Sequence, residues 1–268
     1  MKKITVLIPC YNEESGISQV VQAFPLERLT AHGFTLEVLV IDNNSTDKTA
    51  RIARKAGARV IFEARKGKGN AIRTGMARIS ADTDFVVMLD GDHTYSPDEI
   101  IRLVEPLNSQ FCNVVIGSRL GGRISAGSMK PFNRMGNWVY SHLVRYSYKV
   151  NVTDVLTGYF AWTKEVVDEL RPHLTSDGFA IEMEMITKMA RLGHEIYSVP
   201  ISYNARAGES NLRPIYDGSR ILLMFAKNLR WTPRAVAPKR RRRLTAAPII
   251  SRFTPAFGEQ ISHKNNHE

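Results

Sequence analysis

A doubly wound α/β fold, its mainly parallel sheet flanked by helices, is predicted by two features of the sequence. Apolar runs of strand length alternate with helical patterns from Ile4 to about Gly117. Three of those strands end in an acidic or amide side chain, Asn12, Asp42 and Asp90. Parallel strands share one carboxyl edge, so the three ends are expected to line a single crevice, the place where open α/β sheets bind ligands.

Ile4–Ile8 reads as a buried strand broken by Pro9. A helix follows to about Phe24, with Ile17, Val20, Val21 and Phe24 at helical spacing. Leu36–Ile41 is a second buried strand. The turn from Asn43 to Asp47 offers several capping side chains to a helix that runs to about Ala56. Ala58–Phe62 is a third strand, and Gly67-Lys68-Gly69 opens a helix with Ala71, Ile72, Gly75 and Met76 on one face. The strand from Phe85 to Leu89, a helix from Pro97 to about Leu107 and a strand at Asn113–Gly117 continue the alternation.

At 268 residues, with 43% hydrophobic and 24% charged side chains, the chain has room for one large α/β domain and an appendage. Cys10 and Cys112 sit inside apolar runs and read as reduced core residues, which points to a cytoplasmic chain. No apolar run approaches 18 residues, so no bilayer-spanning segment is expected, and the first residues do not resemble a signal peptide. The net charge of +11 is unevenly placed. Residues 214–268 hold 11 Lys/Arg against 3 Asp/Glu, a net +8 that leaves +3 for the first 213 residues. A nearly balanced body with a basic tail argues against a whole-surface nucleic-acid binder and for a C-terminal segment that meets something anionic.

The chemistry centres on Asp90-Gly91-Asp92, where an apolar strand gives way to two carboxylates within one residue. Such a pair repels itself unless a cation joins it. Mg²⁺ or Mn²⁺ would do so and leave coordination positions for phosphate oxygens. Gly91 permits a sharp turn and the close approach of a ligand. Asp42, at its strand end, is placed to hold a nucleoside, and Gly67-Lys68-Gly69 is placed to cradle phosphate with backbone N–H groups and an ammonium. Neither a Walker loop nor a G-x-G-x-x-G follows the first strand, which disfavours ATPase and NAD chemistry.

With Pro9-x-Tyr11-Asn12-Glu13, Asp42-Asn43-Asn44-Ser45-x-Asp47-x-Thr49, Gly67-Lys68-Gly69-x-Ala71 and Asp90-Gly91-Asp92 in that order, the chain resembles the family 2 glycosyltransferases of the GT-A fold. Gly117-Ser118-Arg119, Thr157-Gly158-Tyr159 and the stretch from Glu184 to Arg206-x-Gly208-Glu209-Ser210 are similar to the polyprenyl-phosphate (dolichol-phosphate) mannosyl- and glucosyltransferase branch. The resemblance covers about residues 3–213. It implies a GT-A domain at 1–213; beyond it, the residues themselves read as an amphipathic helix at 214–233 and a basic, disordered tail at 234–268.

The resemblance also implies site roles. Asp42 would bind the nucleobase, helped by Pro9, Tyr11, Asn12, Glu13 and Asn44. Lys68, Asp90 and Gly91 would meet the diphosphate, and Asp90 and Asp92 would hold the metal. Arg119, Arg134 and Arg206, with Ser210, would hold the acceptor phosphate, and Asp92 with the three arginines would carry catalysis. Many relatives have Gln two positions after the second Asp as a further metal ligand. Here His93 and Thr94 follow Asp92, so His93, Thr94 or water is left as the third ligand.

The expected reaction is inverting, metal-dependent transfer of a sugar from a UDP- or GDP-sugar to a polyprenyl phosphate. An anionic acceptor needs cations to hold it, whereas a hydroxyl acceptor needs a carboxylate base. Glu184 is the base in the alternative reading. Glu182 and Glu184 lie two apart on a helix, so at most one can face the crevice. Pro131–Val150 interleaves aromatic and basic residues, as interfacial helices do. The apolar helix from Ile215 to Trp231 carries Arg220, Lys227 and Arg230 and precedes the Lys239–Arg243 basic run, a pattern suited to an anionic membrane surface.

Overall fold

The structure is a computed structural model that describes residues 1–206 and 213–233. The strands are β1 (Lys2–Cys10), β2 (Phe34–Asp42), β3 (Arg59–Phe62), β4 (Phe85–Met88), β5 (Val114–Ile124), β6 (Phe160–Thr163) and β7 (Ile196–Tyr203). They form one sheet in the order β3-β2-β1-β4-β6-β5-β7. Pairing is parallel from β3 to β4 and between β5 and β7, and only β6 runs antiparallel, wedged between β4 and β5. The mainly parallel doubly wound sheet of the sequence reading is thus present. Its antiparallel insert was not foreseen, because four residues (Phe-Ala-Trp-Thr) carry no signal of direction.

The helices are α1 (Ile17–Gln22), α2 (Leu26–Ala31), α3 (Thr49–Lys55), α4 (Lys68–Met76), α5 (Ile100–Asn108), α6 (Pro131–Tyr148), α7 (Lys164–Leu170), α8 (Ile181–Leu192) and α9 (Pro214–Leu229). Side chains alternate across each strand. Leu7, Leu39, Ile41, Val86, Met88 and Trp162 face one core layer, shared with Ile72 of α4 and Met183 and Ile186 of α8. Ile4, Val6, Ile8, Val40, Val87 and Leu89 face the other, shared with Val20 of α1 and Leu103 of α5.

Pro9 does not end its strand. β1 continues to Cys10, because its ladder with β4 has already stopped at Leu7 and the parallel partner β2 runs on beside it. The strand expected at Asn113–Gly117 is longer than its apolar run. It reaches Ile124, with a register shift against β7 between Ser118 and Arg123.

Two helices bear on the surface. In α6 the buried positions are Asn137, Ser141 and Val144, two of them polar. Asn137 donates to Asp154 at 2.6 Å and accepts from the Leu156 N–H, while Ser141 accepts from the Val155 N–H at 3.0 Å. The opposite stripe, Phe132, Met135, Val139, Leu143 and Tyr146, is exposed and apolar. This inverts the usual amphipathic arrangement. Helix α9 docks through Ile221 and Phe225, the latter against Tyr148, and leaves Ile215, Leu222 and Leu223 exposed.

Candidate active site

Three loops leave the carboxyl edge at β1, β2 and β4, and each contains one non-glycine residue in the left-handed region: Asn12 (φ 56), Asn44 (φ 61) and His93 (φ 63). Such backbone is uncommon outside glycine and clusters at functional sites. The first two loops are laced together. The Asn12 N–H donates to Ser45 Oγ (3.0 Å) and the Thr46 N–H returns to Asn12 Oδ1 (2.8 Å). Glu13 N–H donates to Thr49 Oγ1 at 2.8 Å, and Glu14 exchanges bonds with Asp47 and Lys48. Asp42 is buried at the end of β2, where its Oδ1 accepts from the Ser45 N–H.

Asn43 organises the next loop from the same strand end. Its Nδ2 donates to the carbonyls of Glu63 and Arg65, and its Oδ1 accepts from the Gly67 N–H at 2.7 Å. Lys66, swung over the Tyr11 ring, donates to the Tyr11 hydroxyl. Neither role shows separately in the sequence, since an Asn in a turn rich in capping residues reads as one more cap.

At the end of β4, Asp92 is 1% exposed. Its Oδ1 accepts from both the N–H and the hydroxyl of Thr94 (3.0 and 2.6 Å), which leaves Oδ2 to Arg206 Nη2 at 2.5 Å. Thr94 thus holds Asp92 in position with the hydroxyl that one sequence expectation offered to a metal. Arg206 also reaches Glu13 at 3.6 Å. Its backbone arrives there because Asn204 N–H donates to the Thr94 carbonyl and Tyr203 bridges to Tyr95. Burial, with the neighbouring Asp92 charge, pushes the Glu13 carboxyl up to about 8.

Asp90 pairs with Lys68 at 2.7 Å, and the same ammonium pairs with Glu182 Oε1 at 2.7 Å. The carboxylate occupies the space beside Gly158, where a Cβ would overlap it. Gly91 needs no Cβ for a different reason than expected: an added carbon would come within 2.6 Å of Cys10 Sγ, so the glycine serves packing of the loop on β1. Gly67 and Gly69 also answer to protein packing. Cβ atoms there would overlap the Asp177 and Ser176 carbonyls, and the Gly67 and Asn70 N–H groups are already bonded to Asn43 and Asp177. The Ser176 and Asp177 carbonyls thus crowd this loop, and the Lys68 side chain reaches Asp90.

Two further expectations are corrected. Arg119 is buried. Its Nε and Nη2 hold Asp154 in a bidentate pair at 2.8 Å and Nη2 also donates to the Leu156 carbonyl, so it ties β5 to the 154–156 loop instead of facing an incoming phosphate. Glu184 is fully buried, with its oxygens accepting from Thr175 N–H and Oγ1, from Ser176 N–H and from Lys188. A carboxylate sealed in this way cannot reach an acceptor hydroxyl. The glutamate of α8 that faces the crevice is Glu182, at the position the sequence reading passed over. Arg134 lies exposed in a groove with Leu120, Pro131, Met135 and Trp138. Ser210 lies outside the described residues.

Asp90 and Asp92 suit a hard divalent cation. Both are oxygen donors with one residue between them, and each already draws a side-chain cation, Lys68 or Arg206. Among the described residues no third His, Cys, Asp or Glu joins them in a metal-holding group. A pair of carboxylates with its remaining positions left to phosphate and water is the way Mg²⁺ is commonly held.

Carboxylates gathered at the carboxyl ends of a mainly parallel sheet lie where open α/β sheets bind ligands, and comparison with known proteins names the class. Residues 5–171 match the model of the glycosyl transferase family 2. The glycosyltransferase AglJ of Haloferax volcanii is 36% identical over 222 residues, covering 82% of this chain and 70% of AglJ. The dolichyl-phosphate hexose transferase of the same organism is 31% identical over 218 residues, covering 81% of this chain and 90% of the relative. Among solved structures, glucosyl-3-phosphoglycerate synthase of Mycobacterium tuberculosis aligns with a TM-score of 0.66 in its complex with Mn²⁺, UDP and phosphoglyceric acid (24% identity, 87% of this chain, 80% of that one). Its complex with Mg²⁺ and UDP gives 0.64 (25% identity, 87% and 81%). The chain belongs to glycosyl transferase family 2 and is a glycosyltransferase of GT-A fold.

Proposed function

We propose that the enzyme moves a hexose from a UDP- or GDP-sugar to a polyprenyl phosphate, with inversion, at the cytoplasmic face of a membrane. The observation that carries the choice of acceptor is the sealing of Glu184. A hydroxyl acceptor needs a base. Glu184 is spent on Thr175, Ser176 and Lys188, and Glu182 is held by Lys68. A phosphate acceptor is already anionic and needs only cations that hold it in line with the anomeric carbon. Arg206, held on Asp92, and the exposed Arg134 of α6 suit that task. The kinship with a dolichyl-phosphate hexose transferase agrees with this reading.

Asp42 would hold the nucleobase, with Tyr11, Asn12 and Asn44 in the loops around it, and Lys68 would meet the diphosphate. Mg²⁺ or Mn²⁺ on Asp90 and Asp92 would neutralise the charge that gathers on the leaving diphosphate. Arg206, held on Asp92, would offer its guanidinium to an acceptor phosphate.

Support for a membrane setting comes from α6 and α9. No described helix is long and apolar enough to cross a bilayer. The exposed stripe of α6, with Tyr146 80% exposed, lies on a helix that also exposes Trp138, has Arg134 and Arg145, with Lys149 after it, and has no acidic residue. Apolar anchors flanked by basic side chains favour the headgroup region of anionic lipid. Cys10 and Cys112 are buried and unlinked, which suits a reducing compartment.

Incubation with labelled UDP- and GDP-sugars, Mg²⁺ and undecaprenyl or dolichyl phosphate tests the reading. Label extracted into chloroform is the expected result. Label transferred only to water-soluble acceptors would overturn the acceptor assignment.

A further inference from the structure

Glu182 and Glu184 leave α8 in different directions, yet both routes end on Lys68. Glu182 is 4% exposed and grips the ammonium directly at 2.7 Å. Glu184 takes the N–H groups of Thr175 and Ser176, and the carbonyls that follow, of Ser176 and Asp177, fill the spaces that Cβ atoms of Gly69 and Gly67 would occupy. The Asn70 N–H fastens the same turn to α4 through the Asp177 carbonyl. The backbone of Lys68 is thus pressed in place by the turn that Glu184 builds, and its head is held by Glu182 and Asp90 together.

An ammonium has three N–H donors in a compact head. Asp90 and Glu182 engage two directions, and a third remains for another oxygen. Asp90 is also the carboxylate assigned to the metal, so a diphosphate–cation pair arriving there competes with Lys68 for it. We propose that Glu182 is a positioning residue: it keeps Lys68 anchored while Asp90 turns to the incoming group, so that the ammonium stays aimed at the diphosphate of the donor. This inference rests on the nucleotide-sugar reading of the crevice and extends it to a residue outside the motifs that suggested that reading.

A double-mutant cycle on the full chain separates this role from simple structural support. Calorimetry with UDP and with GDP, each with Mg²⁺, compares the wild type with Glu182→Gln, Lys68→Met and the double variant, and the corresponding nucleosides serve as controls. Whichever nucleoside diphosphate the wild type binds, Glu182→Gln is expected to weaken it about tenfold, the scale of one charge-assisted hydrogen bond. In the Lys68→Met background the same change is expected to have almost no effect, and nucleoside affinity is expected to hold in every variant. Unchanged diphosphate affinity in Glu182→Gln, an equal loss in the Lys68→Met background, or a parallel loss of nucleoside affinity would each overturn the assignment. A wild type that bound neither diphosphate would overturn the donor reading itself, and this assignment with it.

Discussion

Asp90 and Asp92 hold different kinds of position. Asp92 is walled in and has one oxygen pinned by Thr94, whereas the Asp90 side chain is 20% exposed and shares a lysine. Replacing Asp92 with Asn keeps its shape but presents an N–H group towards Arg206 and halves the anionic charge available to a metal. Turnover in Asp92→Asn is expected to fall at least a hundredfold, the order of a lost electrostatic contact in a dry site, with an unchanged circular dichroism spectrum. Gly158→Ala is the complementary test. Its methyl would enter the space of the Asp90 carboxylate, so metal-dependent activity is expected to collapse while the melting temperature moves little. A fully active Gly158→Ala enzyme would mean that Asp90 can shift without consequence. Both aspartates are legible in the sequence because an apolar run stops on them. Thr94, Asn43 and Glu182 are not, since what they do depends on partners that only the fold supplies.

Elements deliver these side chains through polar clasps. The largest joins β5, α6 and the 154–156 loop: Asp154 is 0% exposed and accepts from Arg119 and from Asn137. Arg119 strengthens the carboxylate form of Asp154 against the cost of its burial, holding its pKa below the usual range. Asp154→Ala would leave a buried guanidinium unpaired, at a cost of about 3–5 kcal/mol. At this chain length that is a fall of roughly 10 °C in melting temperature, measurable by calorimetry. The double change of Asp154→Ala with Arg119→Met is expected to cost less than Asp154→Ala alone, because it removes the stranded charge. The Gly-Ser-Arg motif reads in the sequence as a phosphate anchor, since its partner lies 35 residues further on in a stretch without motif or periodicity. Strand existence was legible where apolar runs are long. The end of β5 was not, because Leu120–Ile124 includes two glycines and an arginine and owes its strand form to β7 beside it.

At the scale of the molecule, the sheet places the acidic crevice at one edge, while α6 offers the solvent an apolar stripe that a soluble surface would not retain without use. Val139→Glu combined with Leu143→Glu, both on the exposed stripe and away from Arg134's groove, is expected to lower binding to vesicles rich in anionic lipid at least tenfold and to leave turnover of a short-chain soluble polyprenyl phosphate analogue nearly unchanged. Equal vesicle binding in a sedimentation assay would contradict the proposed membrane contact of α6. Sequence alone suggested an interfacial segment at 131–150 from its aromatic and basic interleaving. It could not say which side faces out, because the buried side of this helix is the polar one and its periodicity misleads. The basic run of the tail, Lys239–Arg243, lies outside the described residues.

The convergence of β1, β2 and β4 ends on a cation-dependent nucleotide crevice is tested most directly by crystals soaked with Mn²⁺ and a nucleoside diphosphate. The expected result is an anomalous peak between Asp90 and Asp92, bridged to phosphate oxygens, with the base beside Asp42. Manganese bound elsewhere, or a nucleotide seated away from Asp42, would contradict it.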